Sequence, residues 1–86
     1  HSKARIGILT ALATNPEGLS FGDLARLCSL TDGNLSRHLD TLAKGDDGKP
    51  GLVSISKSFR DRRPLTTVVL TAGGRKRFRE YLGHLE

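Results

Sequence analysis

"LSFGDLARLCSLTDGNLSRHLDTL", Leu19 to Leu42, writes one helix-starting device twice. In the first copy Ser20 is placed to cap a helix, Asp23 follows as a shortened capping box, and Leu19 with Leu24 form the apolar staple. In the second, Thr31 caps, Asp32 lies at the positive end of the helix dipole, and Leu30 with Leu35 form the staple. The two predicted helices end near Cys28 and Lys44, so only Ser29 and Leu30 separate the first from the cap of the second. Two helices joined that tightly form a helix-turn-helix unit, here about residues 20–44.

On the N-terminal side, Ile6, Leu9 and Ala13 recur at helical spacing from Lys3 until "TNPEG" breaks the pattern at Pro16. Ile8 and Leu12 form an adjoining stripe, more apolar surface than one small core needs. On the C-terminal side, "GDDGKPG", Gly45 to Gly51, is a loop by composition. Its Asp46 and Asp47 lack the spacing of a calcium loop and read as a solvated turn. "LVSIS" (52–56) and "TTVVL" (66–70) are short and β-branched, which predicts a two-stranded hairpin over about 52–70, with "SFRDRRPLTT" at its basic tip. A closing helix over about 72–85 starts at the Thr71 cap and carries Phe78, Tyr81, Leu82 and Leu85 on one stripe.

Eighty-six residues make one domain, 1–86, with a small core and no room for a deep catalytic cleft. There is no Met or Trp, and three Phe and one Tyr are the aromatics. The chain starts without methionine and reads as trimmed at both ends, so His1, Ser2 and Glu86 are assigned no function. A lone Cys28 forms no internal disulfide, and with no long apolar segment or signal-peptide pattern the chain reads as soluble and cytoplasmic. The net charge of +5 is concentrated in residues 51–86, where eight bases face three acids. That asymmetry points to a polyanion, nucleic acid first and an anionic membrane surface second.

The order helix, helix, short turn, helix, basic-tipped hairpin, helix predicts an α+β, mainly α, winged helix-turn-helix domain: a three-helix core, a two-stranded wing and a C-terminal helix. "LTDGNLSRHL" and "KSFRDRRPLTTVVLTAGGR" resemble the small winged-helix transcriptional regulators related to the MarR and ArsR families, and the resemblance covers nearly the whole chain. It implies a DNA-binding regulator of bacterial or archaeal type whose third helix enters the major groove and whose wing reaches the minor groove or backbone. It also implies a homodimer through the first and last helices, on a pseudo-palindromic site. Ile8, Leu12, Tyr81, Leu82 and Leu85 are the predicted dimer contacts. The resemblance further gives Asp61 a bracing role at the wing tip, leaving Lys57, Arg60, Arg62 and Arg63 as wing contacts to DNA.

On a helical wheel Leu35, Leu39 and Leu42 face inward, while Gly33, Asn34, Arg37, Thr41 and Lys44 fall opposite. Arg37 is the candidate for guanine O6 and N7, and Asn34 for adenine. Thr31 and Ser36 suit phosphate oxygens near the helix start. Asp40 either repels phosphates, as in an ordinary solvated face, or pairs with Arg37 or Lys44. Arg75, Lys76, Arg77 and Arg79 form a basic face that is either solvated or set against flanking phosphates.

Other chemistries fit poorly. Ser36, His38 and Asp40 share names with a catalytic triad, but i, i+2, i+4 spacing spreads them round a helix, so no enzyme is predicted. Cys28, His38 and His84 lack ligand spacing, and no metal or cofactor is expected. Cys28 reads as a small core residue before a redox switch. The alternative function is a winged helix that docks protein or RNA. Three arginines at the wing favour nucleic acid, and an effector, if any, is not specified by the residues.

Overall fold

The computed structural model describes residues 3–45, 48 and 50–83. The loop residues Asp46, Asp47 and Lys49 lie outside the described residues, as do His84 and Leu85. Four helices and three strands follow in the order α1 (Lys3–Ala13), β1 (Leu19–Ser20), α2 (Phe21–Leu27), α3 (Asp32–Lys44), β2 (Val53–Arg60), β3 (Arg63–Leu70) and α4 (Ala72–Gly83). The strands form one antiparallel sheet in the order β1-β3-β2. This is the winged-helix fold expected, with three strands in place of two.

The capping residues start the helices they were assigned to. Ser20 Oγ accepts the Asp23 N–H at 3.1 Å, Thr31 Oγ1 accepts the Asn34 N–H at 3.2 Å, and Thr71 Oγ1 accepts the Gly74 N–H at 2.9 Å. α2 ends in a Schellman arrangement, with the Ser29 N–H on the Arg26 carbonyl and the Leu30 N–H on the Ala25 carbonyl. Ser29 occupies the left-handed position of that motif at φ 54°, where glycine is usual. Its strain of about 1–2 kcal/mol exceeds glycine's extra chain entropy of about 0.5–1 kcal/mol. Ser29→Gly is therefore expected to raise the urea midpoint, by the equivalent of about 0.5–1 kcal/mol. A lowered midpoint would show that the serine side chain stabilises the turn.

The core is aliphatic: Ile8, Leu12, Leu24, Leu35, Leu39, Leu42, Val53, Val68 and Leu70, with Ala25, are buried together. α1 corrects one expectation. Ile8 and Leu12, read as the spare stripe for a second copy, are both 0% exposed, whereas Ile6 and Leu9 are only half-buried. They cannot touch another chain while the core is intact. Apolar residues lie nearly all round α1, so periodicity alone does not say which face turns inward.

Two glycines let separate elements meet. A side chain at Gly51 would strike the Ala43 carbonyl, and one at Gly74 the Leu52 carbonyl. Between them the Leu52 N–H reaches the Leu42 carbonyl at 2.7 Å, and the Leu52 carbonyl accepts the Thr71 N–H at 3.0 Å. Thr71 also donates its hydroxyl to the Gly51 carbonyl at 2.7 Å. The end of α3, the root of β2 and the start of α4 are thus joined through consecutive backbone groups.

The strands are longer than their β-branched centres. β2 and β3 pair from Val53↔Leu70 to Arg60↔Arg63, so the basic segment is strand on both sides of a turn rather than a loose tip. β1 is a two-residue addition, Leu19↔Val68 and Ser20↔Thr67, entered at Gly18 with φ 100°.

Candidate nucleic-acid interface

α3 turns Leu35, Leu39 and Leu42 into the core, which leaves Thr31, Gly33, Asn34, Ser36, Arg37, Asp40, Thr41 and Lys44 exposed on its other sides. Helix geometry divides this surface. Arg37, Lys44 and Gly33 point away from the core, Ser36 and Asp40 lean toward the wing, and Asn34 and Thr41 lean the other way. Ser36, Leu39 and Asp40 line an open groove with Phe21 of α2 and Ile55, Lys57 and Thr66 of the sheet. Among the described residues no ion pair joins Asp40 to Arg37 or Lys44, so those cations keep their charge for an outside partner. The Thr41 hydroxyl is engaged within the helix, donating to the Arg37 carbonyl at 3.3 Å. His38 is half-buried on the flank of the apolar stripe.

At the end of α3 a second hollow gathers Thr41, Lys44 and Gly45 with Arg5 of α1, Pro50, Leu52 and Arg77 of α4. Three basic residues far apart in sequence, Arg5, Lys44 and Arg77, therefore share one concavity. Cations at this end also complement the negative pole of α3. Arg5 was not singled out in the sequence, and Arg77 only as one of a basic run. No local signal could have joined them, because three different elements bring them together.

The wing turns in two residues. Asp61 and Arg62 have φ 51° and 67°, and positive values at both central positions are the signature of a type I′ turn. Asp is among the residues such a turn accepts, whereas a bulky Arg in the left-handed region is strained. Among the described residues Asp61 makes no ion pair with Arg60, Arg62 or Arg63, so the expected electrostatic brace is not formed. Asp61 instead occupies the first central position of the turn.

Pairing register sets the faces. Arg60 and Arg63 are directly opposite each other and share one face. Phe59↔Pro64, Lys57↔Thr66 and Ile55↔Val68 share the other, which covers the core and faces α3 at the groove. Lys57 and all three wing arginines are exposed. The wing thus has a basic face, a strained basic tip and a mixed face turned to α3.

Away from this surface, α4 lays Phe78 and Tyr81 half-buried against Ile6, Leu9, Leu42 and Leu52, and leaves Leu82 44% exposed. Cys28 packs at the rim of the core, and burial pushes its thiol pKa up, away from the reactive thiolate. No helix among the described residues is long and apolar enough to cross a membrane.

The sequence matches the winged helix DNA-binding domain family over residues 4–86. Among curated proteins none matches it. The fold is similar to that of the transcriptional regulator homologue protein from Pyrococcus horikoshii OT3, with a TM-score of 0.81 at 31% identity, covering 94% of this chain and 74% of that one. It is also similar to a MarR family transcriptional regulator from Silicibacter pomeroyi DSS, with a TM-score of 0.73 at 28% identity, over 96% of this chain and 51% of that one. MepR of S. aureus, solved in complex with DNA, shares the fold with a TM-score of 0.79 at 20% identity, over 95% of this chain and 62% of that one. A helix-turn-helix beside a basic two-stranded wing, and these likenesses, lead to one conclusion: the chain belongs to the winged helix DNA-binding domain family and is related to the MarR transcriptional regulators.

Proposed function

We propose that this domain reads duplex DNA by sequence, in the cytoplasm and without a cofactor, as part of a transcriptional regulator. α3 lies in the major groove, where Arg37 contacts base edges and Asn34 and Lys44 flank it. Thr31 and Ser36 meet phosphates, and Arg60, Arg62 and Arg63 follow the minor groove or its phosphate rims with Lys57 behind them.

The observation that carries this reading is the wing tip. A left-handed arginine and a directly opposed Arg60–Arg63 pair both oppose folding, and no acid of the wing relieves them. A polyanion relieves the repulsion and gives the strained side chain a partner. A protein-docking wing has no need of a helix face whose cations are kept unpaired alongside.

Arg62→Ala is expected to weaken binding to all duplexes alike, whereas Arg37→Ala is expected to lose about 1–3 kcal/mol of discrimination at particular base pairs. Affinity selection of randomised duplexes with both variants checks this. Equal loss with unchanged preference in both would remove α3 from the major groove.

A homodimer completes the proposal, because a two-fold protein matches a two-fold site. With Ile8 and Leu12 in the core, the surface offered to a second copy is Tyr81 and Leu82 of α4, with the half-buried Ile6 and Leu9 beside them. Sedimentation of the wild type and Leu82→Glu tests it: a dimer that the variant dissociates supports this surface, and a monomer in both removes the two-fold site.

A further inference from the structure

Phe59 is 77% exposed, the most exposed large apolar side chain among the described residues. It stands one residue before Arg60, and its register partner is Pro64. Because alternate residues of a strand share a face, Phe59 continues the row Val53, Ile55, Lys57 that turns toward α3. At about 3.3 Å per residue it lies some 6–7 Å beyond Lys57, past the edge of the core. Burial in this fold does not explain it. The tip therefore has two unlike faces: Arg60 and Arg63 on one, Phe59 and Pro64 on the other.

A second copy of the chain is a poor occupant for the apolar face. A two-fold contact through Phe59 would set Lys57, Arg60, Arg62 and Arg63 of one copy against the same cations of the other. Those four charges around one phenyl ring call for a partner that is anionic outside and apolar within reach. The minor groove of duplex DNA has that character, with phosphates along its rims and deoxyribose carbons along its walls. A wing drawn in by its arginines meets a phosphate rim with one face and a sugar wall with the other.

We infer that Phe59 packs against the deoxyribose wall of the minor groove and is the residue by which this wing favours DNA over RNA. The inference rests on the DNA reading above. In duplex RNA the minor groove displays 2′-hydroxyl groups. Covering them with a phenyl ring removes their water and supplies no hydrogen bond in return. The arginines do not make this distinction, since both duplexes carry the same phosphates.

The test titrates the wild type, Phe59→Ala and Phe59→Leu with a mixed-sequence DNA duplex and the RNA duplex of the same sequence, over a range of sodium chloride that keeps both bound. For Phe59→Ala the DNA line of log affinity against log salt is expected to fall about tenfold, the loss of part of a buried phenyl ring, with its slope unchanged because no phosphate contact is lost. The RNA line is expected to stay in place, and Phe59→Leu to recover most of the DNA affinity. Thermal melting should be the same for all three, since the side chain is exposed.

Coincident DNA lines, an equal drop on RNA, or a changed slope would overturn the assignment. So would a self-association in the wild type that Phe59→Ala abolishes. A wild-type DNA line that is flat against salt is a separate outcome: it overturns the DNA reading, and this inference with it.

Discussion

Gly74→Ala is expected to destabilise the domain by about 3 kcal/mol or more, the upper range for overpacking a core. The new Cβ would fall on the Leu52 carbonyl, a backbone group that cannot swing aside, and Leu70 Cδ1 lies 3.0 Å away. To make room α4 must move off the root of β2. That strains the 3.0 Å bond from Thr71 to Leu52 and the 2.7 Å bond from the Thr71 hydroxyl to Gly51. A domain of this size has about 5–10 kcal/mol in all, so the loss is a large share.

Gly7→Ala is the control. Gly7 is also helical, but a Cβ there meets nothing within 4 Å, so the same substitution is expected to add about 0.5–1 kcal/mol through helix propensity. Thermal melting reads both, at about 4–8 °C per kcal/mol. If the two variants shifted in the same direction, close approach at Gly74 would not be what holds α4 in place.

The second large effect is on binding. Replacing Arg60, Arg62 and Arg63 together by alanine removes up to three phosphate contacts, each worth about 0.9 in the slope of log affinity against log salt. The slope is then expected to fall by up to about 2.7, equivalent to about 500-fold in affinity at 0.1 M salt. Stability should not fall with it. The Arg60–Arg63 repulsion disappears, and no ion pair of the wing is lost among the described residues.

Arg62→Gly separates the two effects further. It is expected to stabilise the turn by about 1 kcal/mol, since glycine takes φ near 67° without strain, while lowering the slope by about 0.9. An unchanged slope in the triple variant would mean that the wing does not touch the backbone. A triple variant that also melted much lower would make these arginines structural.

What was legible in the sequence was what local chemistry decides. Ser20, Thr31 and Thr71 announce helix starts because a cap needs only a side-chain oxygen and an N–H three residues on. The outward face of α3 was legible because Leu35, Leu39 and Leu42 fix its inward one. α1 was misread because its apolar residues surround it, and only packing against α2, β3 and α4 chooses Ile8 and Leu12. The strands were cut short because Arg60, Arg63 and Pro64 have no β-forming character of their own. Pairing with a neighbour carries the ladder through them. β1, at two residues, is too short for any period to show. The hollow of Arg5, Lys44 and Arg77 is a tertiary fact, and the pattern of no single segment holds it.

Leu52 sits where three elements meet, its N–H held by the last turn of α3 and its carbonyl by the first residue before α4. The separation between α3 and the wing is then set like the jaws of a caliper locked by one screw. A torque applied to α4 reaches helix and wing in a fixed ratio, because neither can yield without breaking a bond at the shared residue. A load on such a frame is expected to move the roots of helix and wing together, because shifting one alone costs a hydrogen bond at the shared residue.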